Sequence, residues 1–139
     1  MTPAISSDLR ARVHHLDGAR CAYCQTPEAL TITAFEIDRI VPVSAGGTTT
    51  LDNLCLTCPA CNRFKAARQT AIDPDTARVV SLYHPRRDAW SAHFAWSGDR
   101  QRILGVTPTG RATAEALRMN RPQLVNLRRI WAKIDGIFL

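Results

Sequence analysis

Two pairs of cysteines are the residues whose type and spacing most clearly indicate chemistry in this chain. Cys21 and Cys24 are separated by two residues, and Cys58 and Cys61 repeat that spacing further along. Two intervening residues let both sulfur atoms face one point, so two such pairs can surround a single tetrahedral zinc ion. Because protein thiolates would fill all four positions, this zinc would stabilise the fold and would not act on a substrate.

A fifth cysteine leaves another pairing open, because Cys55 precedes Cys58 by the same spacing. We favour Cys58 and Cys61 as the second pair, since Cys61 lies at the start of a predicted helix. Cys55 lies between Leu54 and Leu56 in a short apolar segment, so we expect a buried free thiol. An odd number of cysteines, in a sequence with no visible signal peptide, argues against a disulfide framework.

Three segments that follow the first cysteine pair form a more specific pattern. They read FEIDRIVPVSAGG at residues 35–47, LDNL at residues 51–54 and CPACNRFK at residues 58–65. Their ordered combination closely resembles the zinc-knuckle form of the HNH endonuclease family, and the resemblance covers about residues 20–68. No single piece of the pattern would be specific by itself.

The resemblance implies an α+β protein with a ββα-metal core, the HNH or His-Me finger arrangement of two antiparallel strands and a helix around a divalent cation. It implies hydrolysis of DNA phosphodiester bonds. Asp38 and Asn62 would bind the catalytic metal, and Asn53 would orient the loop between the strands. Oxygen ligands of this kind suit magnesium or manganese. The position after Asp38, where the family has its general-base histidine, is Arg39 in this chain.

Arg39 cannot replace the histidine as a proton acceptor, because a guanidinium remains charged and has no lone pair to offer. Three interpretations follow. The chain is a degenerate nuclease that binds DNA without efficient cleavage, or it uses another base, for which His84 and His93 are the candidates, or an active parent was changed at this one position. Loss of a general base costs on the order of 10²–10⁴ in rate, so weak activity could survive.

The positive charge of the chain is concentrated in its second half. The net charge is +6, of which residues 1–77 contribute −1 and residues 78–139 contribute +7. This asymmetry favours a polyanionic partner, which we expect to be double-stranded DNA. The candidate phosphate contacts are Arg63, Lys65, Arg68, Arg128 and Arg129.

The elements that would position these residues can be predicted from apolar spacing and capping residues. We predict helices at residues 7–16, from residue 58 to about 69, and at residues 85–90, 112–119 and 122–134, the last with Asn120 as its N-cap. We predict strands at residues 31–41, 51–57 and 78–83, and a hairpin that joins residues 93–96 to residues 102–106.

Length and composition set the remaining expectations. We predict one domain over residues 1–139, with an HNH core at residues 20–69 and a basic extension at residues 78–139 packed on or beside it. The sequence has no apolar run long enough to span a membrane, so we expect a cytosolic protein. A zinc module that binds nucleic acid without cutting it is the alternative function. A zinc-stabilised interaction domain is a third, weaker one.

Overall fold

The computed structural model describes residues 3–134, which form two compact units. Unit 1 contains residues 3–69 and 84–89, and unit 2 contains residues 70–83 and 90–134. The predicted core at residues 20–69 therefore lies in unit 1. Residues 84–89 of the predicted extension also belong to unit 1, and residues 135–139 lie outside the described part of the chain. The single domain stays a prediction.

Unit 1 begins with helix α1, which spans Ser7–Leu16 as predicted. Its N-cap is Ser6, whose side chain accepts a hydrogen bond from the backbone N–H of Leu9. Gly18 follows the helix with a φ of 63°, a left-handed conformation that glycine adopts without steric cost. The signals that bound this helix are local, which explains why the sequence predicts it accurately.

Strands β1 (Glu36–Arg39) and β2 (Leu54–Thr57) pair in antiparallel register and lead into helix α2 (Pro59–Lys65). This is the ββα arrangement that the resemblance implies. The strand predicted over residues 31–41 is shorter than expected, because residues 31–33 form bends and regular pairing begins at Glu36. Successive strand residues face opposite sides, so Glu36 and Asp38 share one face of β1.

Helix α2 ends four residues before the predicted position. Cys58 is its N-cap and Pro59 occupies the first turn, where a missing N–H costs nothing. Ala66 has a φ of 50°, which stops the helix directly after Lys65. Cys61 and Lys65, one turn apart, are both buried and define the inward face of α2.

The helix predicted at residues 85–90 is wrong, because residues 85–88 form a turn. Arg86 in this turn forms a two-point ion pair with Asp17, at 2.7 and 2.9 Å. The same carboxylate accepts the backbone N–H of Leu56 at 2.7 Å. These bonds fasten the turn to α1 and β2 within unit 1.

Unit 2 consists of two small hairpins and three helices. The hairpin of β5 and β6 confirms the predicted turn around Gly98, and the pairing of β3 with β4 adds a strand that the sequence does not predict. The elements, in chain order, are β3 (Thr70–Ile72), β4 (Val79–Ser81), α3 (Trp90–His93), β5 (Phe94–Trp96), β6 (Ile103–Gly105), α4 (Pro108–Ala116) and α5 (Pro122–Trp131).

The boundaries of the last two helices differ from the predicted ones. α4 begins at Pro108, with the side chain of Thr107 as its cap, whereas residue 112 was the predicted start. Arg121 occupies the N-cap of α5, because the Asn120 side chain instead hydrogen-bonds both backbone groups of Ile103. Among residues 3–134, no helix is long and apolar enough to cross a membrane.

Candidate functional site

Cys21, Cys24, Cys58 and Cys61 form one buried cluster in unit 1, with all four sulfur atoms within 4.8 Å of one another. The Sγ atoms of Cys24 and Cys58 are 3.8 Å apart. Zinc–sulfur bonds of about 2.3 Å in a tetrahedron place neighbouring sulfurs about 3.8 Å apart, so the donor set and its spacing fit zinc. The structure thus brings together all four of the cysteines that the sequence assigns to this site.

The position of Cys58 at the start of α2 favours a thiolate. Hydrogen bonds from the thiols of Cys21, Cys24 and Cys61 lower the pKa of Cys58, and its Sγ also accepts the backbone N–H of Cys61 at 3.4 Å. Thiolates are the form that binds zinc. The backbone N–H of Cys61, in the first turn of α2, therefore stabilises the negative charge that Cys58 would carry as a zinc ligand.

Cys55 is outside this cluster, as predicted, and is fully buried. It pairs with Asp38 across the two strands, and its Sγ lies 4.0 Å from Asp38 Oδ2. Burial raises the pKa of this thiol, and the negative charge of Asp38 raises it further. Cys55 is therefore a neutral thiol on the carboxylate side of the sheet.

Asp38 is 6% exposed and its contacts converge on one oxygen atom. The ammonium of Lys65 lies 3.1 Å from Oδ2, and the hydroxyl of Tyr23 donates to the same atom at 3.2 Å. Within residues 3–134, the hydrogen bonds and ion pair of Asp38 all involve Oδ2, so Oδ1 is uncommitted. Burial raises the pKa of Asp38, while Lys65 and Tyr23 oppose that rise.

Lys65 does not lie on the exposed face of its helix, so its predicted contact with phosphate is wrong. The residue is 1% exposed, and its Nζ donates to the carbonyl of Ile40 at 3.0 Å as well as contacting Asp38. A buried ammonium needs such partners because its desolvation is costly. Its place four residues after Cys61 is the sequence signal that indicates an inward side chain.

Asn62 contacts Glu36, whereas Lys65 contacts Asp38. The Nδ2 of Asn62 donates to Glu36 Oε1 at 2.7 Å. Two residues of β1 thus contact two residues of α2. Glu36 pairs with Asn62 at an exposed position, and Asp38 pairs with Lys65 in the interior. No hydrogen bond engages Oδ1 of Asn62 within the described residues, so this amide oxygen and Asp38 Oδ1 are donors that suit a hard divalent cation.

Asn53 is buried and joins the two ends of the loop between β1 and β2. Its Oδ1 accepts the N–H of Val41 at 2.9 Å, and its Nδ2 donates to the carbonyls of Val41 and Thr48 at 3.0 and 2.8 Å. A Cβ atom at Gly47 would lie 1.7 Å from the Val41 oxygen, which explains the glycine there. This bracing is consistent with the orienting role predicted for Asn53.

Arg39 lies beside Asp38 at an open cleft of about 390 Å³. Its Nε donates to Thr49 Oγ1 at 3.1 Å, and its terminal nitrogen donates to the carbonyl of Pro3. These bonds hold a permanent positive charge at the position where the resemblance implies a base. Apart from Asp38 and Arg39, the cleft is lined by Ile37, Pro42, Val43, Ser44, Ala66 and Ala67.

The two histidines named as alternative bases lie in different units. His84 belongs to unit 1, where its Nδ1 accepts the backbone N–H groups of Arg86 and Arg87, each at 3.2 Å. Burial lowers the pKa of His84. His93 belongs to unit 2 and shares a 2.6 Å hydrogen bond with Thr107. Neither residue is among those that line the cleft.

Of the remaining candidate phosphate contacts, Arg128 is the one that the structure contradicts. It is 1% exposed, and its guanidinium donates to the carbonyls of Met119 and Gln101 at 2.7 and 3.2 Å. The predicted exposed face of α5 is therefore wrong at this position. Arg128 lies four residues after Leu124 and three before Trp131, and both of these are also buried, so helical spacing already places it inward.

Arg63, Arg68 and Arg129 are exposed, as a phosphate contact requires. The guanidinium of Arg63 lies over the ring of Phe64, 5.4 Å from its centre, and Arg68 donates to the Phe64 carbonyl. Arg129 donates to Asn126 at 3.3 Å. Such surface bonds are weak enough to be exchanged for a phosphate.

Comparison with known protein families identifies a match within unit 1. Residues 21–68 match the family model described as HNH endonuclease, a segment that begins at the first cysteine and ends just after α2. The match contains the complete cysteine cluster and the facing residues of β1 and α2. No curated protein matches the chain significantly.

Proposed function

We propose that this protein is a metal-dependent endonuclease that hydrolyses DNA phosphodiester bonds, with activity impaired by Arg39, because residues 21–68 match the HNH endonuclease family model. One observation carries the proposal. Within the matched segment, Asp38 borders an open cleft with one carboxylate oxygen uncommitted. A family match to an intact ββα unit with a donor at its cleft favours phosphodiester chemistry over a purely structural role.

The residues of β1 and α2 would divide the work of this site. Oδ1 of Asp38 and Oδ1 of Asn62 would hold magnesium or manganese, which would neutralise charge on the phosphate and on the leaving oxygen. Asn53 would keep the loop in position. Arg39 would bind a non-bridging phosphate oxygen, but it would leave the attacking water without a proton acceptor.

We further propose that the four cysteines bind a structural zinc ion. The cluster ties the loop before β1 to the start of α2, so the metal would close the segment that carries Asp38. In small units of this kind, metal binding contributes directly to folding. We expect Arg63 on α2, Arg68 in the loop after α2 and Arg129 on α5 to bind the DNA backbone in a salt-dependent manner.

A second candidate function is favoured by the ion pair of Asp38 with Lys65. A buried ammonium 3.1 Å from Oδ2 already balances the carboxylate charge, so it competes electrostatically with a divalent cation. In that case the chain would bind nucleic acid through its exposed arginines without cutting it. Both candidates predict DNA binding, and they differ only in cleavage.

Nicking of supercoiled plasmid, with and without added magnesium or manganese, tests the proposal. Asp38→Asn removes the ligand charge, and Asp52→Asn, at an exposed aspartate of the same unit, is the matched control. Metal-dependent nicking that Asp38→Asn abolishes and Asp52→Asn retains supports the endonuclease. Nicking that is indifferent to Asp38 contradicts it, and salt-sensitive binding without nicking by either protein supports the second candidate.

A further inference from the structure

Tyr23 connects the cysteine cluster to the carboxylate of the cleft. It lies between Cys21 and Cys24 in the sequence and is fully buried. Its hydroxyl donates to Oδ2 of Asp38 at 3.2 Å. One side chain therefore joins the loop that would hold zinc to the residue that would hold the catalytic cation.

This contact restricts the orientation of the Asp38 carboxylate. Lys65 and Tyr23 both contact Oδ2, and Lys65 is itself fixed by the carbonyl of Ile40. A carboxylate held by two partners through one oxygen has a defined rotation about its side-chain bonds, and its other oxygen has a defined place. Removal of either partner would weaken this restraint on the carboxylate.

We propose that Tyr23 is a positioning residue that couples the zinc cluster to the divalent-cation site by fixing the Asp38 carboxylate. The inference rests on the proposed function, because it requires Asp38 to bind a cation. The ring of Tyr23 packs within unit 1, and the hydroxyl adds the orientation of Asp38. Phenylalanine at this position keeps the ring and deletes only the hydroxyl, so it separates packing from positioning.

Manganese binding to the zinc-loaded protein, followed by electron paramagnetic resonance, provides a readout other than cleavage. Loss of a group that orients a metal ligand typically weakens metal affinity by about 10–100-fold, and we expect a change of about 10-fold for Tyr23→Phe. Zinc content should stay at one ion per chain. Tyr83→Phe, which alters the second of the two tyrosines in the chain, is the matched control and should bind manganese like the wild type.

The inference can also be tested in the wild-type protein, by labelling it with 3-fluorotyrosine. Two tyrosines give two fluorine signals, which Tyr83→Phe assigns. Addition of magnesium should shift the Tyr23 signal and leave the Tyr83 signal in place. This measurement keeps the inference testable if Tyr23→Phe fails to fold.

The outcomes separate the inference from the function on which it rests. Manganese affinity that is abolished by Asp38→Asn but unchanged by Tyr23→Phe overturns the inference alone, and so does a Tyr23 fluorine signal that magnesium leaves in place in a protein that binds it. A lowered melting temperature with unchanged affinity would assign Tyr23 a structural role only. Affinity that is unchanged even by Asp38→Asn overturns the proposed cation site and the inference with it.

Discussion

Replacement of Lys65 by methionine would leave the Asp38 carboxylate buried without its counter-ion. The side chains of Lys65 and Asp38 are 2% and 7% exposed, and 3.1 Å separates Nζ from Oδ2. Methionine keeps most of the length and volume of lysine, so the change removes a charge with little change in packing. The remaining side-chain partners of Asp38 are the hydroxyl of Tyr23 and the thiol of Cys55, which are neutral and cannot balance a full negative charge.

Removal of one member of a buried ion pair typically costs about 3–5 kcal/mol, because the other charge stays desolvated. Both side chains are almost completely buried, so solvent screening offers little relief, and we expect a loss in this range for unit 1 at pH 7. The double variant Asp38→Asn with Lys65→Met removes both charges. It should lose less than the two single variants combined, as expected for coupled neighbours.

The loss should decrease in acid. Burial already raises the pKa of Asp38 in the folded protein, and Lys65 is the main influence that lowers it. Without Lys65 the pKa would rise further, so the folded state would take up a proton at a higher pH than the unfolded state, whose aspartate titrates near pH ~3.9. Stability of the variant relative to the wild type is therefore lowest above the folded pKa and recovers as the pH falls through it.

Two probes assign the effect to the correct unit. All three tryptophans, Trp90, Trp96 and Trp131, lie in unit 2, so tryptophan fluorescence follows unit 2 during urea unfolding. Zinc release to a chromogenic chelator follows unit 1. Lys65→Met should shift the zinc-release transition to lower urea and leave the fluorescence transition in place. Arg63→Met, at an exposed position of the same helix, is the control and should shift neither.

A change below ~0.5 kcal/mol, the size typical of surface substitutions, would refute this reasoning, because it would mean that water reaches the pair. A defect of the same size at neutral and at acidic pH would also contradict it, since proton uptake by Asp38 would then play no part.

Two further predictions concern the cysteines and the arginines of α5. Cys58→Ser should abolish zinc binding, whereas Cys55→Ser should retain one zinc per chain, and metal analysis that finds zinc in the first variant would disprove the assignment. Arg128→Met should shift the fluorescence transition of unit 2 to lower urea, and it should leave the salt dependence of DNA binding unchanged. Arg129→Gln should instead reduce the slope of log affinity against log salt by about 0.9 if it contacts one phosphate, and an unchanged slope would exclude that contact.

Local signals account for the parts of the fold that the sequence predicts well. Capping by Ser6 and the left-handed Gly18 bound α1, and the two-residue spacing of the cysteines predicts their cluster. The ends of β1 and α2 are less predictable. They depend on bends at residues 31–33 and on the backbone of Ala66, which side-chain patterns do not specify.

The errors concern basic residues that tertiary contacts bury. Lys65 and Arg128 follow buried residues by one helical turn, so spacing predicted their orientation better than charge did. Arg86 is different, because its partner Asp17 lies 69 residues away and no local pattern reveals it. The bond from Tyr23 to Asp38 is unpredictable for the same reason, since it requires the register that brings the first cysteine loop against β1.

The most direct test of the central claim is the nicking rate of Arg39→His beside the wild type, in the same magnesium or manganese buffer. The substitution removes the bonds to Thr49 and Pro3, and the contacts of Asp38 with Tyr23 and Lys65 do not involve the replaced side chain. If only the proton acceptor is missing, cleavage should increase on the order of 10²–10⁴-fold. An Arg39→His protein that binds zinc and DNA like the wild type but cuts no faster would contradict the claim that the rest of the site is intact.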